Sequence, residues 1–124
     1  MKLMEEAIKA KEFSYSPYSH FRVGAALLTE DDEIYTGCNI ENAAYGPSNC
    51  AERTAFFKAI SEGKKKFKAI AITGDTDFCY PCGVCRQVMS EFCTKDFKIY
   101  IGNKDEYKEY TLSQLLPYSF DMEK

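Results

Sequence analysis

The spacing of apolar residues divides the chain into segments with two different periods. Near the N-terminus, Leu3, Met4, Ala7 and Ile8 recur at intervals of three and four, as in an amphipathic helix. The run FKAIAIT at residues 67–73 is short and almost wholly apolar, as in a buried strand. Together these patterns predict helices over residues 1–13, 50–62 and 82–92, a helical turn over 112–116, and strands over 21–29, 34–38, 67–73, 97–101 and 107–110.

Polar and glycine-rich stretches separate these segments. The acidic run EDDE at residues 30–33 predicts a turn between the first two strands, which would form a hairpin. The stretch NIENAAYGPSN at 39–49 is a loop, and its final Ser-Asn predicts the N-terminal cap of the second helix. Strands that alternate with helices indicate an α/β fold. We expect a three-layer α-β-α sandwich with a mixed sheet of about five strands.

Length and charge narrow the class of protein. At 124 residues the chain is expected to form a single domain over residues 1–124. It carries 16 basic and 19 acidic side chains, which disfavours a nucleic-acid-binding surface. The basic cluster of Lys64, Lys65, Lys66 and Lys68 is interpreted as a solvated loop. No apolar run is long enough to predict a membrane span, and the N-terminus is too charged for a secretory signal, so we expect a cytoplasmic protein.

In that compartment the six cysteines are predicted to be metal ligands or buried thiols, not disulfides. Cys50 opens one predicted helix, and Cys82 and Cys85 lie on one face at the start of another. Helix N-termini favour thiolates. If the two helices started side by side, three thiolates would meet at one point, and soft thiolates favour zinc. Arg53 would offset part of their charge by donating to a ligand sulfur.

Glu52 distinguishes a catalytic from a structural zinc site. Structural zinc uses four protein ligands, whereas catalytic zinc keeps one position open. Glu52 follows Cys50 by two residues, so its carboxylate would face the metal as a general acid and base. A structural site with Cys79 or Cys38 as the fourth ligand is the alternative.

The other cysteine patterns in the sequence give weaker functional predictions. The spacing of Cys79, Cys82 and Cys85 also matches the first three ligands of a ferredoxin-type iron–sulfur motif. The fourth ligand would fall at Met89, which excludes an iron–sulfur cluster. Cys38 and Cys93 are interpreted as small buried apolar residues.

CAE at 50–52 followed by PCGVC at 81–85 resembles the signature of the zinc-dependent nucleoside and nucleobase deaminases. The segments YSPYSHFRVGAALLT, GCNIENAAYGPSNCAERTAFFKA, PCGVCRQVMSEF and LLPYSF resemble the small cytidine deaminases, in that family's order and over nearly the whole chain. Tyr80 stands before PCG where serine is common in the family, and Cys79 precedes it. We therefore expect a different pocket rim.

The resemblance implies hydrolytic deamination of cytidine and deoxycytidine to uridine and deoxyuridine, with release of ammonia, in pyrimidine salvage. One Zn²⁺ per chain would be held by Cys50, Cys82 and Cys85, and Glu52 would move the protons. The substrate is a free nucleoside, so no nucleic acid or membrane partner is implied.

The resemblance also implies a set of substrate contacts and an oligomer. Six residues would bind the nucleoside: Asn39 and Glu41 at the ribose hydroxyls, Phe21 beside the pyrimidine, the Ala51 backbone at the base edge, Tyr45 near the sugar, and Phe120 from a neighbouring subunit. The shared site implies a homotetramer. Two alternatives remain: a deaminase of a related molecule such as blasticidin S, and a zinc-stabilised interaction module with no activity.

Overall fold

The computed structural model describes residues 1–76 and 78–122. Within them, every helix and strand predicted from the apolar pattern is present, with ends shifted by a few residues at most. The helices are α1 (Lys2–Lys11), α2 (Ala51–Ser61), α3 (Gly83–Phe92) and α4 (Leu112–Leu115), and the strands are β1 (Val23–Thr29), β2 (Ile34–Cys38), β3 (Phe67–Gly74), β4 (Lys98–Gly102) and β5 (Tyr107–Thr111).

The strands of the described residues form one mixed sheet in the order β2-β1-β3-β4-β5. β3 and β4 are parallel, whereas the other neighbouring strands are antiparallel. A parallel pair needs a crossover connection, and α3 lies in the segment between β3 and β4. The mixed five-stranded sheet predicted from the sequence is therefore confirmed.

Helices cover both faces of this sheet. On one face, Leu3, Met4 and Ala7 of α1 pack with Ala26 and Ala71 of the central strands. The opposite face carries the larger core, in which α2, α3 and α4 pack on β1, β3 and β4; its buried members include Ala55, Phe56, Ile70, Met89, Ile99 and Leu112. The predicted three-layer arrangement is thus confirmed. None of the described helices is long and apolar enough to cross a membrane.

β1 begins at Val23 and not at residue 21, as the apolar pattern predicted. The Asn39 side chain accepts a hydrogen bond from the Val23 N–H at 2.9 Å and donates one to the Phe21 carbonyl at 2.8 Å. The Val23 N–H and the Phe21 carbonyl are therefore bonded to the Asn39 side chain. In a longer strand these groups would be bonded to the neighbouring strand.

The predicted Ser-Asn cap of α2 is wrong. Cys50 is the N-cap residue, with extended φ and ψ. The Asn49 amide donates instead to the Thr54 hydroxyl at 3.1 Å, and Ser48 bonds the backbone of Asn42. This places a sulfur at the start of the helix.

Gly37 allows α2 to lie directly on β2. A Cβ atom at Gly37 would be 2.5 Å from the Ala51 carbonyl oxygen and 2.6 Å from the Ala55 nitrogen, both in the helix backbone. The absence of a side chain at this position therefore sets the height at which α2, and Cys50 before it, sits above the sheet.

The lysine cluster after α2 is partly paired. Lys64 forms ion pairs of 2.9 Å with both Asp31 and Glu33, and Lys68 pairs with Asp32 at 2.6 Å. The acidic turn between β1 and β2 thus neutralises part of the cluster, in agreement with its interpretation as a surface loop.

Candidate metal centre and active site

The first turns of α2 and α3 bring three cysteines together. Cys50 and Cys82 are the N-cap residues of the two helices, and Cys85 is in the first turn of α3. The sulfur of Cys82 lies 3.8 Å from that of Cys50 and 3.4 Å from that of Cys85. All three sulfur atoms lie within 4.8 Å of one another. The convergence predicted from two adjacent helix starts is therefore present.

The spacing of these sulfurs fits one tetrahedral zinc ion. Zn–S bonds of about 2.3 Å place two sulfurs of a tetrahedral site about 3.8 Å apart. Within residues 1–76 and 78–122, these three cysteines are the group whose donor atoms lie close enough to share an ion. Neither Cys79 nor Cys38 belongs to the group, so the alternative with one of them as fourth ligand finds no support. The donor set leaves a coordination position open.

Positive charge lies next to the cysteine cluster. A terminal nitrogen of Arg53 donates to the Cys50 sulfur at 3.2 Å, and Arg53 Nε is buried with no hydrogen-bond partner among the described residues. Hydrogen bonds from Cys85 and from Arg53 lower the pKa of Cys50 to about 5. The pKa of Cys85 is raised, because its thiol hydrogen bonds to Cys50. Cys85 and Arg53 thus both favour the thiolate form of Cys50.

Glu52 is a buried carboxyl group beside the cluster. It lies in the first turn of α2 and is 4% exposed. Burial raises the pKa of Glu52 to about 7, and the negative charge of Cys50 also raises it, against backbone hydrogen bonds at the helix start. A carboxyl group with such a pKa can accept and return a proton near neutral pH. This is the chemistry expected of a proton shuttle.

Glu52 and two cysteines of the cluster, Cys50 and Cys82, line a cavity of about 270 Å³. We call the part lined by Cys50, Glu52 and Cys82 the metal end. We call the part lined by Asn39, Glu41 and Ser48 the loop end. Glu41 and Ser48 also border a neighbouring cavity of about 350 Å³, which Tyr45 lines. The cavity therefore connects the predicted catalytic and metal-binding residues to a polar wall formed by loops.

Asn39 uses most of its amide group to hold the loop end together. Its oxygen accepts hydrogen bonds from the Ser14 hydroxyl and from the Val23 N–H, and its nitrogen donates to the Phe21 carbonyl. An amide nitrogen carries two hydrogens. The second N–H of Asn39 has no hydrogen-bond partner among the described residues.

Glu41 is also engaged with a loop. Its carboxylate accepts the backbone N–H groups of Tyr18 and Ser19 at 3.0 and 3.1 Å, and also the Ser19 hydroxyl. These hydrogen bonds, that of the Ser19 hydroxyl first, lower the pKa of Glu41. The carboxylate is thus ionised at neutral pH and held where it lines the cavity.

The other predicted substrate residues differ in whether they line the cavity. Ala51 is fully buried and lines the cavity. Phe21 is not among the described residues that line it, and its ring lies against Gly74. Tyr45 is 85% exposed and lines the neighbouring cavity.

Phe120 lies at the surface of its own chain. Its side chain is 71% exposed, and its backbone is held to α3 by Gln87, whose amide donates to the Phe120 carbonyl at 2.7 Å and accepts its N–H at 3.2 Å. Among the described residues that line the cavity, Phe120 does not appear.

Several cavity residues were missed from the sequence. Val23, Ser48 and Asn49 line the cavity and were not predicted, whereas Cys79 and Tyr80, which the sequence placed at the pocket rim, line it as well. Isolated bridges connect Ile40 to Asn49 and to Tyr15, which folds the 39–49 loop back on itself. Nothing in the apolar pattern indicates this return, although the departure at Tyr80 from the family pattern did indicate a residue of the rim.

A hydrolytic deaminase is the class of protein to which this fold and site correspond. The profile of the "Cytidine and deoxycytidylate deaminase zinc-binding region" matches residues 1–101. The chain belongs to the cytidine and deoxycytidylate deaminase family.

Its relatives are of similar length. The chain is 55% identical to a cytidine deaminase of Sporosarcina psychrophila, covering 98% of this chain and 91% of the relative. It is 54% identical to that of Halalkalibacterium halodurans, covering 98% and 93%.

A crystal structure of cytidine deaminase from Burkholderia pseudomallei superimposes with a TM-score of 0.91 and 45% identity, over 96% of this chain and 97% of that one. The chain is thus an enzyme of the small cytidine deaminase type, and these comparisons do not favour the blasticidin S alternative.

Proposed function

We propose that this protein is a zinc-dependent enzyme that hydrolyses cytidine and deoxycytidine to uridine and deoxyuridine, with release of ammonia, in cytoplasmic pyrimidine salvage. The observation that carries the proposal is the cavity in which Glu52, 4% exposed, lies beside three cysteine sulfurs within 4.8 Å of one another. The names of the relatives point to the same substrate.

Cys50, Cys82 and Cys85 would hold the zinc ion. Their distances and their soft donor atoms fit it, and the open position leaves room for a reactant. Zinc bound there would supply a Lewis acid that activates water for attack on C4 of the pyrimidine. Arg53 and the two helix N-termini supply positive charge that offsets the three thiolates.

Glu52 would perform the proton transfers. It would take a proton from the attacking water, deliver one to N3 of the ring, and later pass one to the departing amine. Its burial keeps bulk water away and raises its pKa to about 7, so that neither protonation state is costly at neutral pH. One carboxyl group can therefore serve all three transfers.

The loop end would bind the sugar. The free N–H of Asn39 is a donor and the Glu41 carboxylate is an acceptor, which together suit a ribose hydroxyl pair. Ala51 would offer its backbone to the base edge, and Phe21, held against Gly74, would support the wall beside the pyrimidine.

Tyr45 and Phe120 fit a site shared between subunits. Both are exposed in the single chain, and Gln87 fixes the Phe120 backbone while its side chain points to the surface. We propose a homotetramer in which Phe120 stacks on the base in a neighbouring site and Tyr45 closes the pocket near the sugar. Light scattering should then give the mass of four chains.

Steady-state turnover of five compounds, with zinc content measured on the same sample, tests this proposal. The compounds are cytidine, deoxycytidine, cytosine, CMP and blasticidin S. We expect turnover of the two nucleosides alone and about one zinc per chain. Stoichiometric zinc without turnover of any compound would show that the pocket takes another substrate or that the metal is only structural.

A further inference from the structure

Tyr80 forms part of the cavity wall next to the metal end. It lies two residues before Cys82 and is separated from it by the buried Pro81. Its hydroxyl is 2.6 Å from that of Tyr110, and the two rings are 5.7 Å apart at an angle of 59°. A large aromatic side chain is therefore tied in place at the side of the cavity that holds the cysteines.

Two residues of the edge strand β5 contact the segment before α3. Tyr110 pairs with Ile99 of β4, so its position is set by the sheet. On the same side of β5, Lys108 Nζ lies 4.3 Å from the centre of the Phe78 ring, a cation–π contact. Phe78 and Tyr80 are thus both fastened to β5. The part of the cavity wall that Tyr80 forms is therefore attached to a strand of the sheet.

We propose that Tyr80 is a specificity-determining residue that excludes substituents on the exocyclic amine of the pyrimidine, and that Tyr110 is its positioning residue. The inference deepens the proposed deaminase function and rests on it. The bond that breaks is the one from C4 to the amine, so this bond must lie at the metal end, beside Glu52 and Cys82. A substituent on the amine would then extend toward the wall that Cys79 and Tyr80 form beside Cys82.

The reaction affected is a simple variant of the proposed one. Water would convert N4-methylcytidine to uridine and methylamine: a C–O bond forms at C4 and the bond from C4 to nitrogen breaks, while Glu52 would relay one proton of the water to N3 of the ring and the other to the departing amine. One methyl group more or less against a hydrophobic pocket wall changes kcat/KM by about 10- to 200-fold. The wild-type enzyme should therefore prefer cytidine to N4-methylcytidine by a factor in that range.

The test is the ratio of kcat/KM for cytidine to that for N4-methylcytidine, measured on the zinc-loaded enzyme. Tyr80→Ala removes the wall and should reduce the ratio about tenfold or more. Tyr110→Phe keeps the ring and removes the hydroxyl that holds Tyr80, so it should reduce the ratio by a smaller factor. Tyr107→Phe is the matched control, since Tyr107 is on the same strand but contacts Tyr100 on the other face of the sheet. It should leave the ratio unchanged.

A purely structural role of the tyrosine pair would lower turnover of both compounds together and leave the ratio unchanged. An unchanged ratio in Tyr80→Ala, or equal turnover of both compounds by the wild type, would overturn the inference. If Tyr80→Ala does not fold, the inference is tested with Tyr110→Phe instead. A ratio of the two kcat/KM values in Tyr110→Phe equal to that in Tyr107→Phe would then overturn the inference. Absence of cytidine turnover in the wild type would instead refute the proposed function, and this inference with it.

Discussion

The metal end and the loop end of the cavity are built from different kinds of structure. At the metal end, Cys50, Glu52 and Cys82 lie at the starts of helices that pack on the buried sheet. At the loop end, Asn39 and Glu41 lie in irregular segments that side-chain hydrogen bonds hold together.

This difference separates two tasks. Proton transfer needs groups placed within a fraction of an ångström, and helix starts on a packed core provide that. Recognition of a sugar needs donors and acceptors in loops, where they can be changed without disturbing the core. We therefore expect substitutions at the metal end to act on kcat and those at the loop end to act on KM.

The largest effect is expected at the metal end for Glu52→Gln. Because an amide cannot move the protons, kcat should fall about 10²- to 10⁴-fold, while the three cysteines keep their zinc. Turnover of cytidine and zinc content per chain are the measurements. A variant that keeps full activity would refute the assignment of Glu52, and loss of zinc would show that Glu52 holds the metal site together.

Gly37→Ala tests whether the metal end depends on how α2 lies on the sheet. The added methyl group would meet the Ala51 oxygen and the Ala55 nitrogen at 2.5 and 2.6 Å. Such overpacking costs about 1–3 kcal/mol in the free energy of unfolding, and the displaced helix start should also lower kcat. Gly46→Ala is the control, since nothing lies within 4 Å of its added methyl group. Equal urea unfolding curves for the two variants would contradict the close approach.

Glu41→Gln tests the loop end. Loss of a charged hydrogen bond to a sugar hydroxyl should raise KM for cytidine about 10- to 100-fold, with kcat changed much less. Glu5→Gln, at an exposed position on α1, is the control. A fall in kcat with unchanged KM would mean that the two ends are not separable, and comparison with deoxycytidine would show which hydroxyl is bound.

The smallest effect is expected from Lys64→Ala, because Lys64 pairs with the turn after β1 and is not among the described residues that line the cavity. Hydrogen bonds from Lys64 and from the Thr29 hydroxyl lower the pKa of Asp31 from 3.8 to about 2. A carboxyl group with a lowered pKa in the folded state stabilises it above pH 4, and that stabilisation is lost as pH falls from about 4 to about 2. Since the pair is exposed, the wild type should exceed the variant by only about 2 °C in Tm at pH 6.

The Tm difference between wild type and Lys64→Ala should shrink toward zero near pH 2, and kcat and KM should stay the same. A difference that is constant with pH would exclude the ion pair as its cause.

The sequence predicted more about the metal end of the cavity than about the loop end. The cysteines, Glu52 and Arg53 sit in regular elements, where the apolar period and the helix-start position indicate which side chains share a face. The Arg53–Cys50 contact at 3.2 Å follows from a spacing of three residues. At the loop end, the double role of Asn39 was not predicted, because its partners Ser14, Phe21 and Val23 come from a distant part of the chain.

The sequence by itself determined the order of helices and strands, the mixed sheet and the identity of the metal-end residues, since each depends on local periodicity and on residue chemistry. Only the tertiary structure decided that β1 starts at Val23, that Cys50 caps α2, and that Tyr80 is tied to Tyr110 at the cavity wall. These features depend on hydrogen bonds and close contacts between residues far apart in the chain, for which no local pattern carries a signal.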